Sequence, residues 1–229
     1  MEKRIVVISL GGSVIISEKP NFRFLDKFKN TLRKHYKTHK FVIVCGGGSI
    51  ARKYISALKA EHKSKKELSM AGIRATRMNA MFVMQFFGKE ANDVLPSDMQ
   101  EVKTNLHKNH VVICGALRYA PDSTSDGTAA KLAHFLKANF VNITNVKGLY
   151  SENPVAHPKA RFIPYESWKQ FEKRALNLSF KAGQHFVLDQ KAAIIIREYK
   201  IKTFIIGPDT RNIDKILKSK KFVGTLICC

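Results

Sequence analysis

The residues best suited to chemistry lie in two glycine-rich turns, Gly11-Gly12-Ser13 and Gly46-Gly47-Gly48-Ser49. Each turn follows a β-branched apolar run, Ile5-Val6-Val7-Ile8 in the first case and Phe41-Val42-Ile43-Val44 in the second. A strand that ends in glycines lets bare backbone N–H groups approach a ligand where any Cβ would intrude. The second turn leads into a helix-like run, Ile50-Ala51-Arg52-Lys53-Tyr54-Ile55, whose N-terminus adds partial positive charge. Two anion cradles on one sheet imply two phosphate-bearing ligands, or one long one, and hence phosphate chemistry.

The common nucleotide signatures do not account for these turns. Gly46 through Ala51 formally satisfies a dinucleotide fingerprint with Ala last. That fingerprint also needs an acid at the end of the next strand, about 20 residues on, to hold a ribose. Here the distance falls in Lys63-Ser64-Lys65-Lys66, with no strand before it. No Gly-Lys-Ser or Gly-Lys-Thr occurs, so a P-loop is absent as well.

The elements that must position the turns alternate along the chain. The two apolar runs read as buried strands of a mostly parallel sheet. Helical spacing covers Asn21 to Tyr36, Ser49 to about Glu61, and Ile73 to Phe87, the last reached through a Lys-rich connection. The Met and Phe stripe of that third helix reads as core or subunit contact. Val111-Val112-Ile113 is a third strand, Ala129 to Lys137 a helix, and Phe140 to Ile143 a fourth strand. Asn153 to Pro164 is a loop with three prolines, and Ser167 to Leu178 and Lys191 to Tyr199 are helical. Phe186-Val187-Leu188 and Thr203 to Ile206 complete the expected strands. The alternation predicts an α/β fold, a three-layer sandwich with its site at the strand C-termini.

At 229 residues and 45% hydrophobic content the chain is globular and long enough for one sizeable α/β domain. No window of 18 uncharged apolar residues occurs, and Met1-Glu2-Lys3-Arg4 runs straight into a strand. Neither a signal peptide nor a membrane span is therefore expected, and the expected location is cytoplasmic. Cys45, Cys114, Cys228 and Cys229 lack metal-ligand spacing and read as free thiols, although Cys45 and Cys114 both precede glycine turns and could pair. The net charge of +22 is dense over Lys27–Lys40, Lys59–Lys66 and Lys215–Lys221. Such a field attracts nucleotides, and equally RNA or DNA, yet no nucleic-acid-binding motif accompanies it.

Taken together, the turns resemble the amino acid kinase family, in its archaeal-type UMP kinase (uridylate kinase) branch. Ser9-Leu10-Gly11-Gly12-Ser13-Val14 and Gly46 through Ile55 carry the resemblance. So do Gly72-Ile73-Arg74-Ala75-Thr76-Arg77-Met78-Asn79-Ala80, Thr124-Ser125-Asp126 with Ala129-Ala130, and Thr144-Asn145-Val146-Lys147-Gly148-Leu149-Tyr150. Ala182-Gly183 and Asp189 with Ala192-Ala193 match the closing segment. The motifs occur in order over nearly the whole chain.

The resemblance implies an αβα sandwich around a mainly parallel sheet, forming one domain over 1–229. Its acceptor-binding part would span roughly 1–135 and its ATP-binding part roughly 136–229. It also implies a hexamer, and transfer of the γ-phosphoryl of Mg-ATP to UMP in pyrimidine biosynthesis, with magnesium carried on ATP and no metal ligands of the chain's own. By the same resemblance Gly11 and Gly12 face the donor phosphates, and Gly46, Gly47 and Gly48 lie between donor and acceptor. Arg52 pairs with phosphate oxygens, and Asp126 is the organising carboxylate, although it could instead cap the next helix. Thr144, Asn145, Tyr150 and Asn153 frame ATP, and Ser69, Gly72, Gly115, Ala116, Arg118 and Thr124 face UMP.

Departures from the family pattern accompany these matches. Ser69 stands where the family has an Asp that grips the UMP ribose. The acceptor loop, Cys114 to Asp122, is about three residues longer than the family pattern, loses a threonine and gains Arg118. Lys147 and Asn153 replace aspartates, Ile194 replaces a lysine, and Ser9 stands where other branches place a lysine. A different phosphotransferase, or a catalytically weak nucleotide-binding paralogue, is the alternative reading. A basic nucleic-acid-binding protein on the same fold is a further one. If a hexamer forms, six copies carry roughly +130, a self-repulsion that opposes assembly unless anions bind.

Overall fold

The computed structural model describes residues 3–119, 124–177 and 187–229. Strand β1 (Arg4–Leu10) runs into the first glycine turn, the four-residue helix α1 (Gly12–Ile15) and then α2 (Phe22–Arg33). Strand β2 (His39–Cys45) runs into the second turn, α3 (Gly48–Ala60) and α4 (Lys65–Phe87). Helix α5 (Met99–Lys108) precedes β3 (Val111–Cys114), and α6 (Ser125–Phe135) precedes β4 (Asn139–Ile143). A two-stranded antiparallel pair, β5 (Leu149–Tyr150) with β6 (Phe162–Ile163), follows. Then come β7 (Tyr165–Glu166), α7 (Trp168–Asn177), α8 (Gln190–Glu198), β8 (Thr203–Ile206), α9 (Thr210–Leu217) and β9 (Thr225–Ile227).

Among the described residues the main sheet has seven strands, in the order β3-β2-β1-β4-β8-β9-β7. Its pairings are parallel except β8 with β9. The expected three-layer α/β sandwich is the fold observed. Strand alternation divides the core in two. Val6, Ile8 and Leu10 of β1 face one layer with Phe28 and Phe87, whereas Val7 faces the other with α5, α6, α7 and α8. Ser9, two residues after Val7, therefore points toward the α6 side.

Two expectations are corrected, and two helices are added. Helix α4 starts at Lys65, eight residues before the expected Ile73, so part of the Lys-rich connection is helix. A capping box explains the start: Glu67 N–H donates to Ser64 Oγ at 3.3 Å and Ser64 N–H to Glu67 at 2.9 Å. Ser69 and Gly72 thus lie inside a helix. The expected strand at Phe186-Val187-Leu188 does not form over its described residues. Val187 and Leu188 lie in a bend, with Leu188 buried and the Val187 carbonyl accepting from Asn142 Nδ2 at 2.6 Å. Phe186, Ala182, Gly183, Pro121 and Asp122 lie outside the described residues. Helices α5 and α9 are additions to the sequence expectation. Cys45 and Cys114 are buried free thiols, and no helix among the described residues is long and apolar enough to cross a membrane.

Candidate active site

The two glycine turns form a single cradle at the C-terminal ends of β1, β2 and β4. Gly46 N–H donates to Leu10 O at 2.9 Å, and Gly11 N–H to Ile143 O at 3.0 Å. A Cβ at Gly12 would sit 2.1 Å from Gly48 N, and one at Gly46 would sit 2.7 Å from Gly12 N. Gly48 also has φ +62°, a conformation that other residues adopt only with strain. Backbone packs on backbone here, and the space that a side chain would fill is taken by the other turn.

The helices that start at these turns differ from the rest in their caps. Asn21, Ser64, Asp98, Thr124, Ser167, Asp189 and Asp209 accept a backbone N–H at the starts of α2 and α4 to α9. At α1 and α3 the cap residues are Gly11 and Gly47, with no side-chain cap bond. The first N–H groups of α3, a 13-residue helix, are left for another acceptor, and an anion meets both their hydrogen-bonding need and the helix dipole. Gly11, Gly47 and Gly48 are partly open to solvent at this edge.

Helix α4 holds the cradle from behind. Asn79 Nδ2 donates to Gly46 O at 2.7 Å. Thr76 Oγ1 accepts from Ala116 N–H at 2.9 Å, and Arg77 donates to Ala116 O at 3.1 Å and to Leu117 O. A Cβ at Gly115 would come within 2.7 Å of Arg77 N, so the β3 turn also lies flush on this helix. Thr76, Arg77 and Asn79 stand in the Gly72–Ala80 motif, and their part at the site emerges only from the structure. Their hydrogen bonds go to the backbone of the turns.

A carboxylate cluster closes the α6 side. Ser9 Oγ donates to Asp126 Oδ1 at 2.7 Å. The cap of α6 is Thr124, which accepts from Gly127 N–H at 3.1 Å, so Asp126 stands in the first turn and is not the cap. Thr124 Oγ1 in turn donates to Asp189, whose other oxygen accepts from Ala192 N–H at 2.8 Å. Asp189 thereby joins the starts of α6 and α8, a role its sequence position alone did not reveal. Burial, and then the Asp189 carboxylate, push the Asp126 pKa up to about 7, against the opposing bond from Ser9. A carboxylate so poised favours a cation beside it.

The other expected site residues are distributed as follows. Thr144 follows β4, and a Cβ on Gly11 would lie 3.9 Å from its Cα. Its hydroxyl donates to Asn145 Oδ1 at 3.3 Å. Tyr150 on β5 packs edge-on against Phe162, with centroids 5.4 Å apart. The side-chain oxygen of Asn153 is engaged by Val155 N–H at 3.0 Å, within its own turn. Arg52 is exposed on the first full turn of α3. Ser69 is half-buried on α4, and Gly72 faces Ile55 of α3. Arg118 is largely exposed and pairs with Asp98 at 2.8 Å. The fold therefore gathers Gly11, Gly12, Gly46 to Gly48, Gly115, Ala116, Thr124, Asp126 and Thr144 at one end of the sheet, while the Arg118 and Asn153 side chains have their own partners in Asp98 and Val155 N–H.

Residues 4–207 match the family model described as "Amino acid kinase family". A uridylate kinase of Archaeoglobus fulgidus is 37% identical over 223 residues, covering 97% of this chain and 99% of that protein. One from Thermococcus sibiricus is 33% identical over 97% of this chain and 98% of its own length. The crystal structure of uridylate kinase from Archaeoglobus fulgidus superposes with a TM-score of 0.84 at 35% identity, covering 97% of this chain and 99% of that one. The UMP kinase of Ureaplasma parvum, at 20% identity and a TM-score of 0.80 over the full length of both chains, shares the fold.

Proposed function

The chain belongs to the amino acid kinase family, and from that premise we propose that it is a uridylate kinase, moving the γ-phosphoryl group of ATP to UMP to give UDP and ADP. The observation that carries the reading is the single glycine cradle, with helix α3 starting there uncapped. The full-length similarity to proteins named uridylate kinase supplies the substrate class.

Phosphoryl transfer asks a protein for in-line positioning and for fixed donors around the transferring group. We assign that task to the amides of Gly11, Gly12 and Gly46 to Gly48, with Arg52 as the mobile cation on the phosphates. Asp126 is the organising carboxylate, held by Ser9 and kept in place by the Thr124–Asp189 contact. Magnesium is part of the substrate, carried on the ATP phosphates. Thr144, Asn145, Tyr150 and Asn153 frame ATP in the part spanning roughly 136–229. UMP occupies the part spanning roughly 1–135, against Ser69, Gly72, Gly115, Ala116, Arg118 and Thr124. The enzyme works in the cytoplasm as a homo-oligomer, a hexamer by family likeness.

The test is ADP formation from Mg-ATP with UMP, CMP, dUMP, AMP, GMP or no acceptor. Turnover with UMP above all others is the expected result. Comparable turnover with a different acceptor, or ATP binding without any turnover, would replace this reading with another use of the same cradle.

A further inference from the structure

A cavity of about 230 Å³ opens at the end of the sheet opposite the glycine cradle. Arg4 and His39 begin β1 and β2, and Lys202 immediately precedes β8; all three line it. Lys220, just beyond α9, lines it too, together with the rings of Phe204 and Phe222. A seven-residue strand separates this mouth from the glycine cradle by roughly 20 Å.

Its walls carry charge of one sign. Among the described residues, no aspartate or glutamate lines the cavity. Arg4, Lys202 and Lys220 make no ion pair among the described residues, and Lys202 Nζ rests 5.7 Å from the Phe204 ring centroid. Three carbonyls of the last turn of α9, those of Asp214, Ile216 and Lys215, accept from the N–H groups of Lys218, Ser219 and Lys220 at 3.1, 3.0 and 2.7 Å. Burial first, and then the Arg4 guanidinium and His35, lower the His39 pKa to about 4. His39 is 3% exposed, its Nδ1 lies 2.9 Å from Thr38 Oγ1, and Nε2 has no hydrogen-bond partner among the described residues.

The geometry points to a second, non-catalytic ligand site here, taking a small organic anion with a flat apolar body. The acidic group would sit among Arg4, Lys202 and Lys220, the apolar body against Phe204 and Phe222, and a polar edge within reach of the His39 ring. Like charges gathered around a cavity repel one another, and a bound anion removes that cost. The aromatic and aliphatic floor adds apolar burial that inorganic phosphate cannot use. The size suits one ring system and one acidic group. This site is independent of the kinase reading, because it shares no residue with the cradle.

The probe is 1-naphthyl phosphate, titrated calorimetrically into the full chain with UDP and ADP present to fill the cradle. The expected result is one molecule bound per chain. Its affinity should fall at least tenfold in Lys202→Glu/Lys220→Glu and several-fold in Phe222→Ala, and inorganic phosphate should bind more weakly than the probe. ADP formation from ATP and UMP, with the thermal midpoint, checks that both variants remain folded. A milder Lys202→Gln/Lys220→Gln pair replaces the charge reversal if the latter does not fold. No binding once UDP and ADP are present, or affinity unmoved by the lysine substitutions, would overturn the proposal. So would binding of a short RNA oligomer through the same lysines without binding of naphthyl phosphate, which would make this face a nucleic-acid surface.

Discussion

Ser9 Oγ and Asp126 Oδ1 lie 2.7 Å apart although 117 residues separate them in the chain. Alternation along β1 sends Ser9 toward α6, on the side shared with Val7. The first turn of α6 then presents Asp126 to it. The Ser9 hydroxyl thus faces the carboxylate, and its hydrogen bond favours the charged form of Asp126.

Asp126→Asn tests the organising role and the electrostatics together. Turnover should fall by about 100-fold or more with the KM for UMP nearly unchanged, the pattern of a group acting in the transition state. Equal loss of both would contradict the role. The stability effect has the opposite sign. The folded pKa of about 7 lies above the unfolded value near 4, so the carboxyl detracts from stability above pH 7. That penalty is relieved as pH falls from about 7 to about 4. In thermal melts the variant should exceed the parent by a few degrees at pH 8 and match it near pH 4. Identical melts at pH 8 would show that Asp126 is not strained.

Ser9→Ala removes the one bond that opposes that upward shift, so the Asp126 pKa should climb further. If the charged form is the working one, the acid limb of kcat moves to higher pH. Turnover measured from pH 6 to 9 should drop several-fold at pH 7 and recover toward the parent at pH 9. A loss uniform across that range would mean that Ser9 matters only for packing.

Gly12→Ala and Gly72→Ala should diverge. A Cβ at Gly12 meets backbone at 2.1 Å, which cannot swing away, so the cradle must distort, costing about 2 kcal/mol or more and most of the activity. At Gly72 the nearest atom is the Ile55 Cδ1 end at 3.4 Å, inside a helix, where Ala gains about 0.5–1 kcal/mol over Gly. Urea unfolding with initial rates on both variants measures the contrast. A raised UMP KM in Gly72→Ala at unchanged kcat would put that glycine at the acceptor.

Ser69→Asp restores a bidentate acceptor where the family pattern has one. Affinity for UMP, read by calorimetry without ATP, should rise by about tenfold, the scale of one added charge-assisted hydrogen bond. Unchanged affinity would mean that position 69, half-buried on α4, does not face the ribose.

Much of this organisation was legible in the residues, for identifiable reasons. The β-branched runs of β1 and β2 and the glycines after them allow little else, and Thr76, Arg77 and Asn79 stood in a readable motif. Other elements were hidden by weak periodicity. The first turns of α4 are Lys-rich, and only the Ser64-x-x-Glu67 capping box marked their start. Helices α5 and α9 bury only Val102 with Leu106, and Asn212, Ile213 with Leu217, too short a pattern to stand out. Val187-Leu188 has strand composition, yet its backbone accepts from the Asn142 side chain and forms a bend.

Local pattern by itself determined that this chain forms a mainly parallel α/β sandwich with bare backbone at two strand ends. That follows because side-chain period and glycine's missing Cβ act within a few residues. Tertiary structure decided that the two turns interlock as one cradle, that Asp126 meets Ser9, that Asp189 ties α6 to α8, and that unpaired cations collect around a cavity at the far end of the sheet. Those outcomes depend on strand order and register, which bring together groups that lie from tens of residues to more than a hundred apart, and no local spacing encodes such distances.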